Sequence, residues 1–248
     1  FVAFKIPNFL RRLFGEGAFA QAFVPVFAET REKEGDQSVK RLIDQVAGRL
    51  GLILIAISIL GVLLAPWIAK LFAPGFSDDP EKLTLTAELL RWTFPYLGFI
   101  CFVAFAGGIL NSIGRFAVPA ATPVFLNLSL IGSALFLVPL VSPSVLGLAI
   151  GVAIAGVVQL IIQIPPLMTA GLLPKPSLLA DHPGVSKILK LMVPALFGVS
   201  VSQINLLLDT VLASLLVSGS VSWLYYSDRL MELPLGVIAI AVSTVILP

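Results

Sequence analysis

Residues 116–174 read FAVPAATPVFLNLSLIGSALFLVPLVSPSVLGLAIGVAIAGVVQLIIQIPPLMTAGLLP, and none of them is Asp, Glu, Lys or Arg. A helix of about 20 apolar residues crosses the hydrocarbon core of a membrane, so this stretch fits two spans with a turn between them. The whole chain is also apolar: 58% of its residues are hydrophobic and 12% are charged, whereas about a quarter of the residues of a soluble domain are charged. The sequence therefore predicts a membrane protein and excludes a soluble globular one.

Charge clusters and Pro/Ser/Gly breaks divide the chain into hydrophobic segments, each long enough to cross a bilayer. The segments are 1–28, 47–69, 90–112, 118–140, 145–168, 191–216 and 222–248. Membrane strands would alternate apolar and polar residues, but residues 50–64 read LGLILIAISILGVLL. We predict an all-α membrane protein, a polytopic bundle of about seven transmembrane helices. The GxxxG pattern at Gly147 and Gly151 predicts close helix packing within the chain.

Positive charge predicts how the bundle is oriented. The connections 29–46, 113–117 and 169–190, with their flanks, carry more Lys and Arg than the connections 70–89, 141–144 and 217–221. The first set is therefore expected in the cytoplasm. Within it, TREKEGDQSVKR (residues 30–41) is predicted to be a solvated loop without a docking role.

Several function classes are disfavoured by what the sequence contains. The formal net charge is only +2, which implies no nucleic-acid partner. The single cysteine, Cys101, lies in an apolar stretch and is expected to be buried. His182 is interpreted as a turn residue before a helix and not as a metal ligand. No nucleotide loop, HExxH or GxSxG motif occurs, so we expect a protein that is not an enzyme.

Ionisable residues lie at membrane depth in three segments, although each such charge costs about 2.5–3.5 kcal/mol on insertion scales. On an ideal helix, Lys5, Asn8, Arg12 and Glu16 fall within an arc of about 80°, with Arg11 nearer its edge. Such a stripe is expected to face water or a ligand.

The last two segments carry similar stripes. In segment 191–216 the polar residues Ser202, Asn205 and Asp209 are three and four positions apart; in segment 222–248 Tyr225, Asp228 and Glu232 repeat that spacing, with Arg229 beside them. We expect all three polar faces to line one cavity. The alternative is a set of sealed internal ion pairs, Arg12 with Glu16 and Arg229 with Asp228 or Glu232.

In the first and last segments four cationic residues stand against three acidic ones, so the cavity is expected to attract anions; the cations are Lys5, Arg11, Arg12 and Arg229, and the acids are Glu16, Asp228 and Glu232. Guanidinium groups form planar forks that match phosphate oxygens bidentately. A phosphate or pyrophosphate head group is therefore the predicted guest.

Long stretches of the chain resemble one family. FVAFKIPNFLRRLFGEGAFAQAFVPVFAE (Phe1–Glu29) is similar to the second transmembrane helix of the MurJ (MviN) lipid II flippases, and residues 198–248 resemble their seventh and eighth helices. LLAPWIAKLFAPGF and ILNSIGRFAVPAATPVFLN, in between, resemble the same family. The resemblance covers the whole chain.

The resemblance implies a fourteen-helix, two-lobe transporter of the multidrug/oligosaccharidyl-lipid/polysaccharide exporter superfamily, and this chain would be a fragment holding helices two to eight. Residues 1–168 would belong to the N-terminal lobe, 169–190 to a cytoplasmic linker, and 191–248 to the start of the C-terminal lobe. The implied function is to flip lipid II, the lipid-linked peptidoglycan precursor used in cell wall biogenesis, across the bacterial inner membrane by alternating access.

The resemblance also implies roles for single residues. Arg11 and Arg229 would bind the substrate pyrophosphate, with Arg12 beside them. Asp209 lies where some members have a sodium ligand, so a sodium ion is the only cofactor considered. The other cavity-lining residues are Lys5, Asn8, Glu16, Tyr225, Asp228 and Glu232.

Two other functions stay open at this point. One is a cation-coupled exporter of drugs or small solutes with the same fold, and the other is a non-transporting membrane scaffold whose charges bind partner helices. The expected partners of the flippase are lipid II and membrane lipids.

Overall fold

The protein is described from a computed structural model, which covers residues 2–12, 19–178, 182–217 and 219–234; among these, the side chains of residues 10, 11, 199, 201, 202 and 233 are not described. The described residues form ten α-helices: α1 (Val2–Arg11), α2 (Phe19–Glu34), α3 (Asp36–Leu63), α4 (Ala65–Phe72), α5 (Pro80–Ser112), α6 (Ala117–Gly132), α7 (Ser144–Ile161), α8 (Ile164–Thr169), α9 (Pro183–Ser214) and α10 (Ser220–Pro234). A 3₁₀ turn, Pro74–Phe76, precedes α5, and a π-helical turn, Ser133–Leu137, continues α6.

Four of these helical stretches are long and apolar enough to cross a membrane: Asp36–Leu63, Pro80–Ser112, Ala117–Leu137 and Ser144–Thr169. A fifth is α9, whose parts Pro183–Gly198 and Gln203–Ser214 meet at an angle of 48°. These five correspond to five of the seven predicted segments. Segment 1–28 contains α1 and part of α2, and segment 222–248 contains most of α10, while residues 235–248 lie outside the described residues. The prediction of an all-α, multi-pass membrane protein is confirmed.

Two predicted loops are largely helical, so the sequence prediction was wrong there. In the connection 29–46, α2 continues to Glu34 and α3 begins at Asp36, so that Gly35, with φ 79°, is the one break. Ion pairs one turn apart, such as Lys33–Glu29 and Lys40–Asp44, favour helix over loop there. In the connection 70–89, α5 begins at Pro80. Hydropathy marks where a helix leaves the apolar layer and not where the helix ends.

The small residues of α7 allow close packing inside the chain. A Cβ atom on Gly151 would lie 2.2 Å from Ser133 Oγ, and one on Gly147 would lie 2.8 Å from the Val138 nitrogen. The predicted intrachain role of the GxxxG pattern is therefore confirmed. Cys101 is buried, as expected.

A core of small and aromatic residues fixes α1 in the bundle. Val2, Ala3 and Ile6 belong to one buried apolar cluster, most of whose other members come from α4 and α5. In addition, Thr93 Oγ1 on α5 donates a hydrogen bond to the Ala3 carbonyl, over 3.0 Å. Because this apolar face is buried, the polar face of α1 points elsewhere, toward α9 and α10.

Candidate functional site

The polar faces of α1, α9 and α10 meet at a small cavity of about 70 Å³. Its lining combines five charged side chains with polar and apolar ones: Phe4, Lys5, Asn8, Phe9, Arg12, Gln203, Leu206, Leu207, Tyr225, Asp228, Arg229 and Glu232. Most of the predicted cavity residues therefore come together. Glu16 and the side chain of Arg11 lie outside the described residues.

Lys5 links α1 to both other helices. Its Nζ donates a hydrogen bond to Thr210 Oγ1 on α9 over 3.1 Å and lies 3.9 Å from Asp228 Oδ2 on α10. The Lys5 side chain is 16% exposed, so its charge depends on these partners more than on solvent.

A single carboxylate lies between two guanidinium groups. Glu232 Oε2 accepts a hydrogen bond from Arg229 Nη1 over 2.9 Å, and Glu232 Oε1 lies 3.8 Å from Arg12 Nη2. Arg229 Nε also donates to the Tyr225 hydroxyl over 3.3 Å, and its Cζ lies 5.3 Å from the centre of that ring. The pairing of Arg229 with Glu232, which belonged to the alternative of internal ion pairs, is present, and Arg12 uses the same carboxylate. The described lining of this cavity includes three cations and two carboxylates, so that part of the lining is net positive.

A larger cavity of about 550 Å³ adjoins this cluster. Phe4, Asn8, Arg12 and Arg229 line both cavities. The other walls of the larger cavity come from α2, α5, α6, α7 and the turn after α7, and no Asp or Glu is among its described lining residues. The cations are therefore not sealed away from open space, which contradicts the alternative of fully closed internal ion pairs.

The predicted polar face of α9 was wrong in part. Asn205 and Asp209 are exposed and line neither cavity, whereas Gln203, Leu206 and Leu207 line the small one. Lys5 donates its hydrogen bond to the hydroxyl of Thr210. Thr210 follows Asp209 in sequence, so its side chain lies about 100° around the helix from that of Asp209. The contact thus turns a different stripe of α9 inward, and the side chain of Ser202 lies outside the described residues.

Asp209 belongs to no cluster of metal-binding His, Cys, Asp or Glu side chains among the described residues. No group of three or more His, Cys, Asp or Glu among them could hold a metal ion. A sodium role for Asp209 stays a prediction from the resemblance.

Sequence reasoning missed the amides on the wall formed by α6 and α7. Gln159 and Gln163 are 2% and 1% exposed and contact Thr122, and all three residues line the larger cavity. Two glutamines four positions apart in a charge-free stretch were the available signal, because that spacing puts both on one helix face.

The ends of α2 and α3 on either side of Gly35 contact the start of α9. One of these contacts is made by Ser38, which lies in the stretch 30–41 that was predicted to have no docking role. Glu29 accepts hydrogen bonds from Lys187 on α9 and from Lys33. The bond from Lys187 and then that from Lys33 lower the pKa of Glu29 from 4.5 to about 2. His182 precedes α9, as predicted, and its Nδ1 accepts a hydrogen bond from the Gly184 amide over 3.0 Å. Its Nε2 lies 2.9 Å from Ser38 Oγ.

A bundle of apolar helices around a cavity whose described lining is net positive defines a multi-pass helical membrane protein with an internal polar site. The family profile described as "Lipid II flippase MurJ" matches residues 1–248. The chain belongs to the MurJ lipid II flippase family.

Three relatives illustrate the similarity. The chain is 53% identical to a probable lipid II flippase MurJ of Haemophilus influenzae over 98% of the chain and 49% of that protein. It is 51% identical to the probable lipid II flippase MurJ of Vibrio cholerae, over 100% and 49% respectively. It is 40% identical to the lipid II flippase MurJ of Burkholderia cenocepacia, again over 100% and 49%.

A solved structure, "Lipid II flippase MurJ, inward closed conformation", superimposes with a TM-score of 0.82 at 32% identity, covering 99% of this chain and 50% of that one. The chain spans about half the length of the curated relatives it matches.

Proposed function

We propose that the protein containing this chain moves lipid II across the bacterial inner membrane, from the cytoplasmic to the periplasmic leaflet. Family membership supports the substrate, and the net positive cavity supports an anionic head group. In this proposal residues 1–168 and 191–248 belong to two lobes joined by the linker 169–190.

One observation carries the proposal: Arg12 and Arg229 share Glu232 at the edge of the 550 Å³ cavity. A carboxylate can form a full bidentate pair with only one guanidinium at a time, so within the described residues Glu232 leaves one of the two arginines without a full pair. A pyrophosphate has enough oxygens and negative charge to satisfy both forks. Arg11, next to Arg12 in sequence, adds a third cation to the proposed site.

Binding of such an anion would join the two proposed lobes. Arg12 follows α1 in the first lobe, and Arg229 lies on α10 in the second. A ligand held by both arginines would link the two lobes. Its negative charge would also compensate the two cations, which would otherwise be poorly solvated when the cavity closes. Substrate binding therefore favours a closed arrangement more than the empty site does.

The proposal is tested by replacing Arg229 in the full-length protein and measuring lipid II translocation in proteoliposomes. Arg229→Ala is expected to reduce the rate at least about tenfold, since charge-assisted hydrogen bonds are lost. Arg229→Lys should retain part of it, because a point charge replaces the fork. Arg91→Ala, an exposed arginine on α5, is the matched control and should leave the rate unchanged. An unchanged rate in Arg229→Ala protein that inserts normally would contradict the proposal.

A further inference from the structure

Two buried glutamines line the larger cavity away from the cationic cluster. Gln159 is on α7, and Gln163 is in the turn between α7 and α8. Their exposed fractions are 2% and 1%. Both lie in the stretch that carries no charged residue, and their amides are among the polar groups that this stretch contributes to the cavity lining.

The amide nitrogens of both glutamines are used by one threonine. Gln159 Nε2 donates to the Thr122 carbonyl over 3.0 Å, and Gln163 Nε2 donates to Thr122 Oγ1 over 3.3 Å. Thr122 Oγ1 in turn donates its own hydrogen to the Val118 carbonyl over 3.1 Å.

The amide oxygens of both glutamines, by contrast, are buried and accept no hydrogen bond within the described part of the chain. Exchanging the nitrogen and oxygen of Gln159 would bring its oxygen against the Thr122 carbonyl. The same exchange in Gln163 would make the Thr122 hydroxyl donate to the amide oxygen and give up its bond to Val118. Each exchange therefore loses a hydrogen bond, so the pattern favours these orientations, which leave two acceptors without donors among the described residues.

The two unpaired amide oxygens and the residues around them limit the kind of ligand group that could bind there. An anion would repel carbonyl oxygens. A bare cation would need more oxygens and a carboxylate, but the described lining of the cavity has no Asp or Glu and includes Arg12 and Arg229. Neutral hydrogen-bond donors remain, namely hydroxyl groups and amide N–H groups. The volume of about 550 Å³ falls within the range of small-molecule sites.

We propose that Gln159 and Gln163 form a second subsite, which accepts hydrogen bonds from hydroxyl and amide N–H groups of the sugar–peptide part of the substrate. The inference rests on the proposed function, in which the pyrophosphate of the same molecule is held by Arg12 and Arg229. Both oxygens are buried in the empty protein, so binding includes a shift of the two side chains toward the cavity that they line. The terminal side-chain torsion is broad enough in energy to allow such a shift.

The test compares two ligands on the full-length protein in lipid nanodiscs. Lipid II carries sugars, peptide and pyrophosphate, whereas undecaprenyl pyrophosphate carries the pyrophosphate alone. Gln159→Met and Gln163→Met are made separately, so that a variant that fails to fold leaves the other as the test. Methionine keeps the length of the side chain and removes the acceptor.

Each substitution is expected to weaken lipid II binding about tenfold and to leave undecaprenyl pyrophosphate binding unchanged. The melting temperature should change little, because the loss of the hydrogen bond to Thr122 is offset by the removal of an unsatisfied buried acceptor. Leu160→Met, a neighbour on α7 that is not among the cavity-lining residues, is the matched control and should change neither affinity.

Three outcomes would overturn the inference. Unchanged lipid II affinity in both variants, or an equal loss for the two ligands with a lower melting temperature, would show that the glutamines are only structural and would leave the proposed function standing. Failure of the wild-type protein to bind either ligand would overturn the proposed function and this subsite with it.

Discussion

Removing the charge of Glu232, the carboxylate shared by Arg12 and Arg229, should raise the affinity of the cavity for anions. In the substitution Glu232→Gln the side chain keeps its size and one hydrogen-bond acceptor but loses its charge. An incoming pyrophosphate then no longer displaces a carboxylate from two guanidinium groups. We expect tighter binding of the anion and a slightly less stable empty protein.

The magnitude follows from the distances and the exposure. Unit charges about 4 Å apart attract each other by about 1 kcal/mol in water, and Glu232 lies 2.9 and 3.8 Å from its two partners. The water-like value applies because Glu232 and Arg229 are each 50% exposed and Arg12 is 31% exposed. Relief from this competition corresponds to about 1–2 kcal/mol, or about a five- to thirtyfold gain in affinity. The unfolding free energy should fall by less than about 1 kcal/mol.

The assay is a titration of the full-length protein in nanodiscs with undecaprenyl pyrophosphate at two salt concentrations. The gain in affinity should shrink at the higher salt, because these charges are partly exposed. Glu81→Gln, in the first turn of α5, removes an exposed carboxylate elsewhere and serves as the control. Unchanged or weaker binding by the Glu232→Gln protein would refute the idea that this carboxylate competes with the substrate.

Two further predictions concern packing and pH. Gly75→Ala would place a Cβ atom 1.8 Å from the Ser214 carbonyl oxygen, so the backbone must move. The free energy of unfolding should fall by about 1–3 kcal/mol, and the melting temperature should fall with it. The control, Gly132→Ala, has no atom within 4 Å of the added Cβ and should change the melting temperature little, so equal melting temperatures of the two variants would contradict the close packing at Gly75. Because the folded state lowers the pKa of Glu29 to about 2, its bonds with Lys187 and Lys33 stabilise the fold above pH 4.5 and are lost as the pH falls through about 2. Thermal unfolding from pH 6 to pH 2 should thus show a smaller loss of stability for Glu29→Gln than for the wild type, and parallel curves would argue against this contribution.

The helical membrane architecture could be predicted because burial in lipid requires long apolar segments whose backbone groups bond internally. Helix ends were less predictable. Gly35 ends α2, but the charged residues on both sides of it continue as helix outside the apolar layer, where hydropathy carries no information on secondary structure.

The candidate site was predictable where charge alone selects a face, as for Lys5, Arg12 and Arg229. The contact between Lys5 and α9 was not predictable from charge. Lys5 donates a hydrogen bond to the hydroxyl of Thr210, whereas the neighbouring carboxylate of Asp209 is exposed. The pairing of Arg12 with Glu232 joins residues far apart in sequence, and no local spacing indicates it.

Residues 175–177, which follow α8, are hydrogen-bonded to α3. The Ser177 amide donates a hydrogen bond to the Asp44 carbonyl over 3.0 Å, and the Lys175 amide donates to Asp44 Oδ1 over 2.6 Å. Gly48 leaves no room for a side chain there, since a Cβ atom would lie 2.4 Å from the Ser177 oxygen. A displacement of residues 175–177 must therefore either break these bonds or carry the N-terminal part of α3 with it.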